Sequence, residues 1–321
     1  MRSGKLYGKL LELMKTQSVS GRTAESLRIL LAGLVDYAGL FPPAALSMTR
    51  DVENFARYRR GEYSWMLNYC VVPATRLDEF DAALAHVSGA DRTGKPWKLS
   101  VLVGAQVEHE IAQIMAFNDR HRAAGGACVV VAIEVNVPGA RAIHDAVAVI
   151  PRSFQTYFEV AMSDALGECI AAIRDGGVYA KMRTGGVTPD VFPSSEQAAE
   201  FLDECAKTRV RFKATAGLHH PIRGEQRLTY ESTSPTGLMF GFLNVFLAAA
   251  YVFHGLSRLD AALLLDERST EQIRFEDDGV SWRGHRLDNR QLASARQLFC
   301  TSFGSCSFEE PVEDLRRLRL L

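Results

Sequence analysis

A rhythm in the chain limits the possible folds more than anything else. Strand-like runs occur at Trp65–Val72, Trp97–Val103, Val129–Val137, Phe154–Val160, Val178–Arg183 and Arg211–Thr215, after a first that ends near Asp36. Helical stretches follow most of them, at Arg76–His86, Glu108–Arg122, Ala140–Ala148, Asp164–Arg174 and Ser195–Thr208. Positions near the strand ends (Asp36, Val72, Val103, Glu134, Glu159, Lys181 and Lys213) are spaced 22 to 36 residues apart. Such alternation specifies the α/β class with a parallel sheet, because parallel strands are joined by crossover helices. A (β/α)8 TIM barrel, which needs ~250 residues, fits the chain of 321. The eighth strand is expected at Ala262–Asp266 and the last helix at Asn289–Phe303. An open doubly wound sheet is the alternative, but no GxGxxG follows any strand, which counts against a dinucleotide site.

A single barrel domain over residues 1–321 then carries two additions. An N-terminal helical extension (1–31) holds short amphipathic helices at 5–15 and 23–31, the second with Thr23 as its N-cap. A C-terminal β-hairpin appendage at 271–287 is signalled by the Asp-Gly of IRFEDDGVSWRGHRL. Between Lys213 and the expected eighth strand, Leu218–Gly237 is a long polar loop, of a length that usually has a function.

Composition excludes several classes. Lys and Arg number 37 against 38 Asp and Glu, a formal charge of −1, which argues against a nucleic-acid partner. The six cysteines are scattered without a CxxC, so neither a disulfide framework nor a structural zinc site is expected. MRSGKLYGKLLELMK lacks the apolar core of a signal peptide, so a cytoplasmic location is the expectation. Leu238–Phe253 is apolar for 16 residues, short of the ~20 that a membrane span needs, and Asn244 interrupts it. It reads as a buried helix, with no membrane partner. The N-terminal helices and the hairpin suit a contact in a homo-oligomer.

The strands alternate, and the alternation sorts their chemistry. Ala132, Glu134 and Asn136 share a face, as do Gln155, Tyr157 and Glu159, then Tyr179, Lys181 and Arg183, and finally Arg211, Lys213 and Thr215. Asn68 and Cys70 share a face in the second strand, with Ser100 on the corresponding face of the third. If the apolar set lies under the helices, the polar set fills the lumen. Glu134, Glu159, Lys181, Arg183 and Lys213 would then line it, with Asp36 at the mouth. Sealing such charges in a dry core costs several kcal/mol each, so they read either as a buried ion-pair network or as an active site open to water.

Lys181 and Lys213, on adjacent strands, are the informative pair. Each ammonium disfavours protonation of the other, and burial adds to the effect. A lysine so depressed can form a Schiff base with a carbonyl, while Glu134, Glu159 or Asp36 moves protons. The segments KMRTGG at Lys181 and KATAG at Lys213 resemble the class I aldolases of the deoxyribose-phosphate aldolase type. That family carries a lysine in Lys-x-x-Thr-Gly on the sixth barrel strand and a second lysine on the seventh. The resemblance, which covers about 40 residues, implies Lys181 as the Schiff-base residue and Lys213 as the neighbour that lowers its pKa. Glu134 is the candidate for the family's fourth-strand aspartate. Arg183 and His219–His220 lie outside the family pattern.

Arg183, Thr184, Gly185 and Gly186 offer a cation, a hydroxyl and two backbone amides at a strand end, suited to a carboxylate or phosphate. Thr215 shares that end of the sheet, and His219, His220 and Arg223 sit on the loop expected to close over substrate. Adjacent residues such as His219 and His220 point to opposite sides of an extended chain, so one metal site would rarely use both. No metal or other cofactor is expected, although a divalent ion held by one histidine and Glu134, Glu159 or Asp36 is the alternative. The resulting expectation is a lyase, aldolase-like, acting on a small anionic carbonyl compound through a lysine imine. Two alternatives are a metal-dependent lyase or hydrolase in the same pocket, and a non-catalytic ligand-binding barrel.

Overall fold

The computed structural model describes residues 23–87 and 94–321. The first expected helix, residues 5–15, lies outside them. Eight parallel strands close into a (β/α)8 barrel. They are β1 (Val35–Tyr37), β2 (Leu67–Pro73), β3 (Trp97–Val103), β4 (Cys128–Asn136), β5 (Gln155–Val160), β6 (Tyr179–Arg183), β7 (Phe212–Thr215) and a last strand, β13 (Cys300–Ser305), which pairs with both β7 and β1.

Two expectations fail at the closing edge. The ALLLD run is not a strand but the end of helix α9 (Arg258–Leu265). Ser257 caps that helix by accepting a hydrogen bond from the Asp260 amide, and Ala261, Leu264 and Leu265 are buried at helical spacing. The stretch expected as the last helix splits into α10 (Asn289–Leu298), opened by an Asp288/Gln291 capping box, and the true eighth strand. Cys300–Ser305 has no β-branched or aromatic run; its small residues suit a strand wedged between two others.

The remaining helices follow their apolar faces. Helix α1 (Glu25–Leu31) buries Leu27, Leu30 and Leu31. Thr23 does not cap it: Ala24 occupies the N-cap without a side-chain bond, and Asp277, on another part of the chain, accepts from the Glu25 amide at 3.1 Å. Helices α2 (Met48–Tyr58), α3 (Leu77–Val87), α4 (Val107–Ala123), α5 (Ala140–Val149), α6 (Leu166–Gly176) and α7 (Ser195–Thr208) surround the barrel. A Ser194/Gln197 capping box opens α7.

Leu218–Gly237 folds largely as an antiparallel hairpin, β8 (Gly224–Arg227) and β9 (Thr236–Met239). The apolar run then divides: Leu238 and Met239 end β9, and α8 (Phe242–Phe253) is buried from Phe242 to Val252. Among the described residues no helix is long and apolar enough to cross a membrane. The hairpin expected at 271–287 is a three-stranded antiparallel sheet, β10 (Ile273–Glu276), β11 (Gly279–Trp282) and β12 (His285–Asp288). Its Ile273, Val280 and Trp282 are buried, and α1 lies against it. Helix α11 (Glu309–Arg317) follows the last strand.

Candidate active site

The period-2 geometry of the strands puts a stack of polar side chains inside the barrel. At its lower end, Tyr69, Gln155, Tyr157 and Thr301 form a hydrogen-bonded layer, with Gln155 Oε1 accepting from both tyrosines at 3.4 and 3.3 Å. Strand β2 departs from expectation here. Its register against β1 slips between Val35 and Tyr37, which leaves Asn68 inside and turns Cys70 outward, its thiol donating to Asp51 of α2 at 3.5 Å.

Above this layer runs a continuous chain of charges. Lys181 and Lys213 are register partners on β6 and β7. Lys213 Nζ lies 2.5 Å from Asp36 Oδ2 and 2.6 Å from Glu134 Oε1. Lys181 Nζ lies 2.8 Å from Glu134 Oε2 and 3.0 Å from Glu159 Oε2, and Glu159 Oε1 accepts from Arg183 Nε at 2.7 Å. The order is therefore Asp36, Lys213, Glu134, Lys181, Glu159, Arg183, three carboxylates against three cations. Asp36 is not at the mouth but fully buried, and it also accepts from Asn68 Nδ2 and Ser302 Oγ at 2.7 Å each. Ser100 Oγ donates to Glu134 at 2.6 Å.

These contacts reverse the expected electrostatics of Lys213. Burial alone would lower its pKa, but the Asp36 and Glu134 carboxylates outweigh burial and hold it above the usual lysine value. Burial likewise works to raise Glu134, and Lys181 and Lys213 hold it well below the usual carboxylate range. Glu159 is also lowered, with Lys181 and Arg183 overriding burial. Each buried charge is paired with its counter-charges, as buried ions must be.

The upper end of the chain is open. A cavity of about 340 Å³ at the C-terminal end of the strands is lined by Glu134, Glu159, Lys181, Arg183, Thr215 and His219, with Asn136, Leu102 and Gly304 beside them. Phe41, Pro42 and Pro43 after β1, and Leu228 and Met239 of the β8–β9 hairpin, supply apolar walls. Its size falls within the ~300–1,000 Å³ of small-molecule sites, and its position is where barrel enzymes place theirs.

The expected anion cradle is only partly present. Arg183 is half exposed and reaches the cavity. Thr184 is buried, and its hydroxyl donates to the Thr215 and Ala216 carbonyls at 3.1 and 2.5 Å. Gly185 and Gly186 answer to packing. A Cβ on Gly185 would come within 2.4 Å of the Phe192 ring, and one on Gly186 within 2.6 Å of Val191. Gly217, at φ +70°, is where the next loop crosses Gly185.

The histidine loop also differs from expectation. His219 and His220 do not point apart; both dock on α11. His219 Nδ1 lies 3.1 Å from Glu310 and His220 Nδ1 2.6 Å from Asp314, two carboxylates one helical turn apart. Of the two, His219 lines the cavity. Burial opposes its protonation, but hydrogen bonds with Cys306 and Glu310 push it up to about 10. Tyr230, on the hairpin, donates to the same Glu310 at 3.0 Å. Arg223 turns away, pairing with Asp266 at 2.9 Å and lying over the Phe240 ring. Among the described residues no group of three or more His, Cys, Asp or Glu side chains is placed to hold a metal ion.

Ser302, Gly304, Cys306, Tyr230 and Glu310 were invisible to sequence reasoning. The first three depend on the misplaced eighth strand. The four-residue spacing of Glu310 and Asp314 was the available hint of a helix face that faces two anchors.

No protein-family model matches the sequence, and no curated protein does. Among solved structures the chain is similar to a GH10 endoxylanase retrieved from a sugarcane soil metagenome, at 9% identity and a TM-score of 0.37, covering 77% of this chain and 87% of that one. It is also similar to the spore cortex-lytic enzyme SleL of Bacillus cereus, at 9% identity and a TM-score of 0.35, covering 90% and 74% respectively. Likeness this distant carries no argument about chemistry.

Proposed function

We propose that the protein is a lyase of the aldolase kind, which binds a small carbonyl compound as an imine on Lys181. The observation that supports this most is the placing of Lys181 Nζ on the cavity floor, between Glu134 at 2.8 Å and Glu159 at 3.0 Å, with Lys213 on the other oxygen of Glu134. A filled structural core has no need of a cavity above its charges, and barrel interiors are ordinarily apolar.

In this reading the residues divide the work. Lys181 gives a proton to Glu159, the acceptor within reach at the cavity. Its nitrogen attacks the carbonyl carbon, the proton that the nitrogen then sheds passes to the oxygen to give a carbinolamine, and Glu159 returns the first proton to the departing hydroxyl, which leaves as water. Glu134, held ionised, faces the iminium charge that results. Lys213 and Asp36 fix Glu134 from below and do not reach the cavity. Glu159 is then placed to accept the proton whose loss accompanies carbon–carbon cleavage. His219, on another wall, is a second proton donor, with its Nδ1 fixed by Glu310.

The test is reductive trapping with cyanoborohydride and a panel of small aldehydes and keto acids, followed by peptide mapping. A stable adduct on Lys181, absent in Lys181→Met, is the expected result. If no probe forms an adduct while the protein still binds carbonyl compounds reversibly, the barrel is a binding module and the imine reading fails.

A further inference from the structure

A second chamber of about 500 Å³ lies beside the first. Asn136, Glu159 and Arg183 line both, so the Arg183–Glu159 ion pair stands in the wall between them. The outer chamber is bounded by the loop after β4 (Val137–Gly139), the end of β5 with the segment after it (Val160–Ser163, Ala165) and Asp190–Pro193 after β6. The helices that start at its rim, α5 and α6, have Gly139 and Ala165 at their N-caps, and neither has a side-chain cap. Their first amides add a positive end to the chamber beside Arg183. Asp190 is its other charged side chain, exposed at the rim.

The ion pair has two functions that compete. Glu159 Oε2 serves Lys181 and Oε1 serves Arg183, so both oxygens are engaged and the carboxylate is a poor proton acceptor. Lys181 and Arg183 are two residues apart on one face of β6, about 6.6 Å by strand rise. A molecule with its carbonyl at Lys181 must therefore pass the pair to reach the outer chamber.

We infer that the substrate is a short bifunctional compound, carbonyl at one end and anionic group at the other, and that its anionic end takes Arg183 from Glu159 and so frees Glu159 to accept the Lys181 proton. This rests on the imine reading above. The proton balance is that of the first step: the Lys181 ammonium loses a proton, Glu159 gains it, and the substrate anion replaces Glu159 as the counter-ion of Arg183. An uncharged carbonyl compound leaves the pair closed and Lys181 protonated.

The experiment compares cyanoborohydride trapping of succinic and glutaric semialdehydes with butanal and pentanal. In the wild-type protein the semialdehydes are expected to be trapped about tenfold faster or more, and acetate added with butanal is expected to accelerate its trapping. Arg183→Met leaves Glu159 with Lys181 as its one cation, so this variant is expected to trap butanal faster than wild type and to lose both the charge preference and the acetate effect. A simple anion anchor predicts instead that the variant loses semialdehyde trapping while butanal stays unchanged. Equal wild-type rates for charged and uncharged aldehydes overturn this inference alone. An absence of adducts from every probe overturns the imine reading and this inference with it. The acetate arm uses wild-type protein and stands even if the variant fails to fold.

Discussion

Lys181 and Lys213 form a natural comparison within the molecule. They are the same residue type, in register on neighbouring strands, and each meets two carboxylates. Lys213 is 1% exposed with both partners within 2.6 Å, and it does not line the 340 Å³ cavity. Lys181 forms the floor of one, and its partner Glu159 is shared with a half-exposed arginine. Identical chemistry is sealed in one place and addressable in the other. Depth in the barrel makes the difference, because a charge that is never rehydrated can only be structural.

The sharpest way to break this comparison is to remove each amine in turn. Lys213→Met strands the Asp36 carboxylate in a dry interior and leaves Glu134 with Lys181 alone, with an expected loss of roughly 3–5 kcal/mol. Lys181→Met leaves Glu134 with Lys213 and Glu159 with Arg183, and an ordinary loss of about 1–2 kcal/mol is expected. Urea unfolding midpoints measure both. Equal losses would mean that the two lysines are equally structural. Next in size is Glu159→Gln, which should slow trapping on Lys181 by about 100-fold, while Asp36→Asn, acting on the sealed half, should chiefly lower the unfolding midpoint.

A third test separates the two halves by pH. Glu134 and Glu159 have lowered pKa values, so their contribution is present above the unfolded value of about 4.3 and is lost as pH falls through the folded one. Lys213 is raised, so its share is present below about 10.4 and is lost only above that. The sealed charges therefore leave the neutral range flat. His219 at the mouth does not: raised to about 10, it contributes fully below its unfolded value of about 6.5 and loses that contribution as pH climbs toward and through 10. Stability should decline across that window in the wild type and be flatter in His219→Gln. An identical slope in the variant would remove His219 from the account.

How much of this was legible in the sequence follows the same division. Seven strands of the barrel and the inward set Glu134, Glu159, Lys181 and Lys213 could be read because alternation is local and strict. The depth of Asp36 could not, since β1 is three residues long and its surroundings come from Asn68 and Ser302, far along the chain. The roles sketched for Thr184 and Arg223 depended on which backbone carbonyl or carboxylate lay nearest, and only the crossing of loops determines that. The eighth strand was missed because CTSFGS has small residues that pack by fitting a gap, while ALLLD has the apolar content of a strand and the cap of a helix.

The smallest predicted effect uses that last confusion as a control. Ser257 caps α9 by accepting from the Asp260 amide at 3.1 Å, and neither chamber touches it. Ser257→Ala should cost about 1 kcal/mol of stability and leave the trapping rate on Lys181 unchanged. The comparison between the two lysines needs such a reference. If a modest loss of stability alone slowed trapping, a slower reaction in a Lys213 variant would say nothing about proximity to Glu134. With Ser257→Ala trapping at the wild-type rate, any slowing in Lys213→Met beyond its unfolded fraction is carried by the carboxylate that the two lysines share.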